Sequence, residues 1–110
     1  MRILVDECVP RPFARQFPEH VVSTIVEQGW AGKKNGELLG LMAAAGWEAL
    51  ITVDQNLRYQ QNLTGTPVAV LVLLALSNRL TDLLPLVGSA KGVLQVIQPG
   101  QVIEVIAPTG

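Results

Sequence analysis

Three carboxylates carry the chemistry that this chain could do. Asp6 closes the run Arg2-Ile3-Leu4-Val5-Asp6-Glu7, Asp54 closes Ala49-Leu50-Ile51-Thr52-Val53-Asp54, and Glu37 stands near the start of a helical stretch between them. If the two apolar runs are parallel neighbouring strands, both Asp side chains leave the same carboxyl edge of a sheet whose strands lie ~4.8 Å apart. Carboxylates held that close repel each other, so either one keeps a proton or a cation neutralises both. Hard oxygen donors of this kind suit Mg2+ or Mn2+. In open α/β sheets ligands bind at that same edge, where the strand order reverses. The three acids therefore read as a small acidic metal centre.

The elements that must position these acids follow from the spacing of apolar residues. Strand-like runs rich in Val, Ile and Leu fall at 2–5, 20–25, 49–53, 67–74 and 101–106. The fourth run is apolar at nearly every position, as expected of a strand buried on both faces, and belongs in the middle of the sheet. The fifth follows Pro99-Gly100 without a clear polar face and goes to an edge, in either direction. Pro10 and Pro12 fit the first turn of a short helix, with Phe13 and Phe17 on one face and Pro18 as its stop. A second helix opens at Asn35 as N-cap, carries Leu38, Leu41, Met42 and Ala45 on one stripe, and ends at Gly46. A third spans about 81–96, where Pro85 is tolerated because it falls near the first turn. Strands alternating with helices argue for an α/β fold with a mostly parallel sheet covered on both faces.

Composition sets the outer bounds. A chain of 110 residues, 49% hydrophobic, suffices for one domain over 1–110 with a proper core and is too short for two. A net charge of −1 offers no global attraction to polyanions, so any nucleic-acid contact must come from a local cluster of Lys and Arg. Cys8 is the only cysteine, which excludes an intrachain disulfide and fits a reducing compartment. Charged residues among the first seven leave no room for a signal-peptide core, and the longest apolar run, 68–76, is far short of a membrane span. A cytoplasmic protein with no membrane partner is the expectation.

The motifs resemble a family in their order and spacing. Ile3-Leu4-Val5-Asp6-Glu7, then Asn35-Gly36-Glu37-Leu38 with Ala43 to Ala45 and Gly46, then Thr52-Val53-Asp54-Gln55-Asn56-Leu57 resemble the ordered motifs of the small PIN-like proteins, a short branch of the PIN-domain nucleases. Members show an Asp ending the first strand, an Asp-x-Glu-Ile pattern opening a helix, and a Thr-x-Asp-x-Asp-Phe pattern ending the next strand. The resemblance covers residues 1 to about 60. It implies a three-layer α/β/α sandwich of about five strands, and a Mg2+- or Mn2+-dependent ribonuclease acting on single-stranded RNA, often the toxin partnered by an antitoxin protein and often a homodimer. Asp6 and Asp54 would be direct ligands, and Glu37 would ligate, hold a water next to the metal, or act as base. The chain departs from the pattern at Asn35 and Asn56, each standing where the family has Asp. Each loses a charge while keeping an amide oxygen, and metal affinity falls as ligand charge falls.

Plainer roles compete at every position. Asp6 and Asp54 could satisfy loop N–H groups beyond their strands, and Glu37 gains ~0.3–1 kcal/mol from the helix dipole alone. Asn35 reads as a helix cap and Asn56 as a turn residue; Glu7 faces solvent or pairs with Arg11; Cys8 is a small buried residue; His20 opens the second strand at the surface. Ser77 and Asn78 could cap the last helix or reach the site, the cap being favoured. Lys33, Lys34, Arg11, Arg58 and Arg79 could contact phosphates, and Tyr59 could stack on an unpaired base. Trp30 packs the loop at 28–36 onto the core. Two other function classes remain open: a non-catalytic PIN-like module that binds RNA or protein, and a receiver-like domain phosphorylated on Asp54. The receiver reading lacks the Lys expected after the fifth strand, since Lys91 falls inside the last helix.

Overall fold

The Val, Ile and Leu runs become five strands in a computed structural model, which describes residues 1–55 and 66–107. They are β1 (Arg2–Val5), β2 (Val21–Thr24), β3 (Ala49–Thr52), β4 (Ala69–Leu74) and β5 (Val102–Ile106). Every neighbouring pair is parallel, in the order β2-β1-β3-β4-β5. Thus β5 is an edge strand, as its pattern suggested, and its direction is now fixed. The chain steps from β1 outward to β2, then returns across β1 to place β3 on the other side. That reversal makes the β1–β3 boundary the topological switch point of the sheet.

Alternation of side chains along the strands builds two cores. Ile3, Val5, Ile51, Leu71 and Leu73 face one side, against Phe13, Phe17, Leu83, Leu86 and Leu94. Leu4, Leu50, Val70 and Val72 face the other, against Leu38, Leu39 and Met42. The second set comes from α2 (Asn35–Ala45); the first comes from α1 (Arg11–Ala14) and the segment just after it, α3 (Leu80–Leu83), the 3-10 turn Leu84–Leu86 and α4 (Val87–Leu94). The result is the three-layer α/β/α sandwich expected from the sequence. Trp30 packs against the α2-side core, as expected. Among the described residues no helix is long and apolar enough to cross a membrane.

Two helical expectations need correction. The single helix over 81–96 is broken into α3 and α4 by a 3-10 turn, Leu84–Leu86. Pro85 has no N–H to give a carbonyl one turn back, so the chain tightens there. Asn35 is not an N-cap either. The Leu38 N–H donates to the Lys34 carbonyl at 2.8 Å, so α2 starts one residue earlier than expected, with Lys34 as a cap that offers no side-chain bond.

The ends of the sheet are tied down by polar contacts. At the amino edge, Gly46 closes α2 in the left-handed region, φ +82°, and Arg2 Nη1 donates to the carbonyls of Ala45 at 2.9 Å and Gly46 at 3.3 Å. The Arg2 guanidinium also lies 4.5 Å from the Trp47 ring centroid. At the outer edge of β2, Glu27 Oε1 accepts the Thr24 N–H at 3.0 Å and Thr24 Oγ1 accepts the Glu27 N–H at 3.0 Å.

Candidate functional site

Asp6 follows β1 and Asp54 follows β3, on the carboxyl edge of two adjacent parallel strands. The Asp6 N–H donates to the Ile51 carbonyl at 2.9 Å, which carries the β1–β3 ladder one residue beyond Val5. One hydroxyl couples the two acid segments. Thr52 is fully buried, and a buried hydroxyl needs partners. Its Oγ1 donates to Asp6 Oδ2 at 2.6 Å and accepts the Asp54 N–H at 3.0 Å. The shorter distance is that of a charge-assisted O–H···O⁻ bond. Asp6 Oδ1 accepts the Glu7 N–H at 2.8 Å, which fixes the second oxygen and so the plane of the carboxylate.

Cys8 is half-buried rather than buried, with Sγ 3.9 Å from Thr52 Oγ1. The Thr52 proton is already directed at Asp6, so the thiol is the donor in this contact. Burial pushes the Cys8 thiol above its ordinary pKa, with the Asp6 charge adding to the effect and a backbone hydrogen bond at Val53 opposing it.

Asp6, Asp54, Cys8, Lys33 and Asn35 together line a cleft of about 360 Å³. The loop before α2 forms one wall. Gly32, at φ +81°, presents its N–H to Glu7 Oε1 at 3.2 Å, so exposed Glu7 holds the loop against the end of β1. Lys33 Nζ lies 3.0 Å from Glu37 Oε1, one helical turn apart. Glu37 is therefore engaged with a cation that lines the cleft and is not itself part of the lining. Asn35, free of the capping role, faces the cleft.

The remaining sequence candidates take different places in the structure. Asn78 Nδ2 donates to the Cys8 carbonyl at 3.2 Å, bracing the turn after β1, so it reaches the site rather than capping a helix. Ser77 does serve the helix start: its Oγ accepts the Arg79 N–H at 3.1 Å and donates to Asp82 Oδ2 at 2.5 Å. Arg79 is the N-cap residue of α3, and Lys34 is exposed on the loop side. Arg11 opens α1 and lines clefts next to Asp6. Asn56, Arg58 and Tyr59 lie outside the described residues. His20, expected at the surface, is mostly buried just before β2.

The donor set can be compared with what a hard divalent cation requires. Among the described residues no three His, Cys, Asp or Glu side chains converge into a ready-made cage. Mg2+ commonly keeps several waters and takes only one or two carboxylates plus substrate phosphate. Two carboxylates lining one cleft, that of Asp6 fixed at both oxygens, fit that mode of binding. Thr52 is the residue that reading the sequence missed. Its signal was present in Thr52-Val53-Asp54: a hydroxyl at the last buried position of an otherwise aliphatic strand must bond to something at the strand's end.

No protein-family model matches the chain, and neither a curated protein nor a solved structure shows significant similarity to it.

Proposed function

We propose that the chain is a divalent-metal-dependent nuclease that hydrolyses phosphodiester bonds in single-stranded RNA. The observation that carries this reading is the pair of acid segments after β1 and β3, coupled through Thr52 and opening into one cleft at the switch point. A Mg2+ or Mn2+ ion held by Asp6 and Asp54 would stabilise charge on the phosphodiester oxygens and ease deprotonation of the attacking water. The chain's own side chains do the rest. Thr52 fixes the direction of the Asp6 carboxylate, Lys33 offers positive charge to a phosphate, and Glu37 holds Lys33 in place. Asn35 gives the cleft an amide with both donor and acceptor atoms. The order of motifs shared with small PIN-like proteins supports RNA as the polymer and a toxin paired with an antitoxin as the setting.

The test is cleavage of a labelled single-stranded RNA in Mg2+ or Mn2+ by the wild type, Asp6→Asn and Asp54→Asn. Both substitutions abolish cleavage if the reading is right. Equal activity in all three proteins means a contaminating nuclease and overturns it; RNA binding without cleavage by the wild type points to a non-catalytic module.

A second reading is favoured by one observation, the strand order β2-β1-β3-β4-β5, which phosphoacceptor receiver domains share. Ala107 occupies the position after β5 where a receiver has Lys. Incubation with acetyl phosphate separates the two: a phosphoryl group on Asp54, seen by mass, selects the receiver.

A further inference from the structure

The acid cleft does not end at Asp6. Asp6 and Glu7 also line a second hollow of about 230 Å³, whose other walls include Arg11 and Thr24. Arg11 and Thr24 in turn line a third hollow of about 410 Å³ between α1 and the outer side of β2, together with Arg15, His20 and Glu27. Through these shared wall residues the three hollows adjoin in a row, a furrow in outline, from Lys33 past Asp6 to Arg15. The register places its middle: Val5 pairs with Thr24, so Asp6 leaves the sheet beside the end of β2.

Charge along the furrow changes in a defined order. Its centre holds Asp6 and Glu7, while Arg11 and Arg15 stand beyond them, both exposed. Arg11 is the first residue of α1, and Arg15 its C-cap in helical conformation. Residues four apart on a helix lie ~6 Å along its axis and on the same face. Both guanidinium groups line the same hollow, so they offer two planar cationic donors in succession to the phosphates of one strand. Glu27, the one carboxylate in this outer stretch, already accepts the Thr24 N–H. Glu19, nearby in sequence, is directed to Lys91 at 3.5 Å.

We infer that the Arg11–Arg15 arm of the furrow is a backbone-binding track that holds the flank of a single-stranded nucleic acid whose scissile phosphate sits at Asp6 and Asp54. The inference rests on the nuclease reading and assigns Arg15 a role that its sequence context does not suggest. The track contacts phosphates, so it gives affinity and register without base preference.

The test measures binding of fluorescein-labelled oligouridylates of three and ten nucleotides with divalent ions chelated, so that binding is read apart from cleavage. Wild type, Arg15→Ala and Arg15→Lys are compared across a salt series, the last keeping the charge at that position. Each phosphate contact on a single strand contributes about −0.7 to the slope of log K against log salt. Arg15→Ala flattens the ten-nucleotide slope by about 0.7 and narrows the preference for ten nucleotides over three; Arg15→Lys keeps both. A wild-type slope and preference in Arg15→Ala, or no binding of the ten-nucleotide probe to wild type, overturns the track. In either of those cases, Asp54-dependent cleavage of the three-nucleotide RNA in Mn2+ leaves the nuclease reading standing, and its absence removes that reading too.

Discussion

Thr52→Val removes one oxygen from the chain and keeps the side-chain volume, so its effect isolates the hydroxyl that joins the two acid segments. Two hydrogen bonds are lost, to Asp6 Oδ2 and from the Asp54 N–H. The first goes to a charged acceptor, a class worth about 1.5–3 kcal/mol. Asp6 is only half-buried, so water recovers part of that loss and the lower half of the range applies. The second, a neutral bond, adds about 1 kcal/mol. The expected destabilisation is about 2.5–3 kcal/mol, which moves a urea midpoint down by roughly 2 M at a slope of about 1.5 kcal/mol/M. Thr52→Ser is the control: it keeps the hydroxyl and loses a buried methyl, for about 1 kcal/mol. Equilibrium urea unfolding of the three proteins should therefore rank wild type, Thr52→Ser, Thr52→Val in falling stability, with the slope unchanged. If Thr52→Val costs no more than Thr52→Ser, methyl packing and not the hydroxyl holds the strand ends, and the coupling between Asp6 and Asp54 has been misread.

Three more outcomes follow from the same geometry. Mg2+ or Mn2+ at 100 times its dissociation constant should stabilise the wild type by about 2.7 kcal/mol, seen as a rise in melting temperature that Asp6→Asn lacks; equal rises in both would place the ion elsewhere. Gly46→Ala should cost about 1–2 kcal/mol, because a Cβ at φ +82° strains the backbone and would stand 2.9 Å from Arg2 Nη1; unchanged thermal unfolding would refute it. Because burial raises the Cys8 thiol in the folded state, its alkylation rate should climb only above the pH at which a free cysteine reacts. The sign for stability follows: the folded state holds the thiol proton more tightly, so this contribution is full below the unfolded value and is lost as pH rises through the folded one. Cys8→Ala should remove that alkaline loss, and a wild-type pH profile in Cys8→Ala would refute the assignment.

The apolar runs made the sheet legible because their β-branched and aliphatic residues can be buried on both faces only inside a parallel α/β sheet. The positions of Asp6 and Asp54 followed from the same pattern, since each ends such a run. What the sequence concealed were features that depend on which groups meet across elements. Nothing local to Asn78 says that its amide will reach the Cys8 carbonyl. Asn35 looked like a cap because Asn favours that position, yet the Lys34 carbonyl accepts the first helical bond. Pro85 was read as tolerated inside one helix, yet the chain answers it with a 3-10 turn and a second helix. Arg15 carried no motif at all; only the walls it shares with Arg11 join it to the site.

An open sheet ends in two rows of backbone groups that a foreign strand could extend, and this one meets that hazard with a glutamate at each margin. Beside β2, Glu27 occupies the Thr24 N–H, so an incoming strand finds a rung of the ladder already filled. Along β5, Glu104 stands exposed between Ile103 and Val105, a charged side chain of the kind that blunts a marginal strand. Self-polymerisation is therefore resisted by blocked hydrogen bonding at one margin and by charge at the other, and neutralising Glu104 alone would leave the first barrier intact.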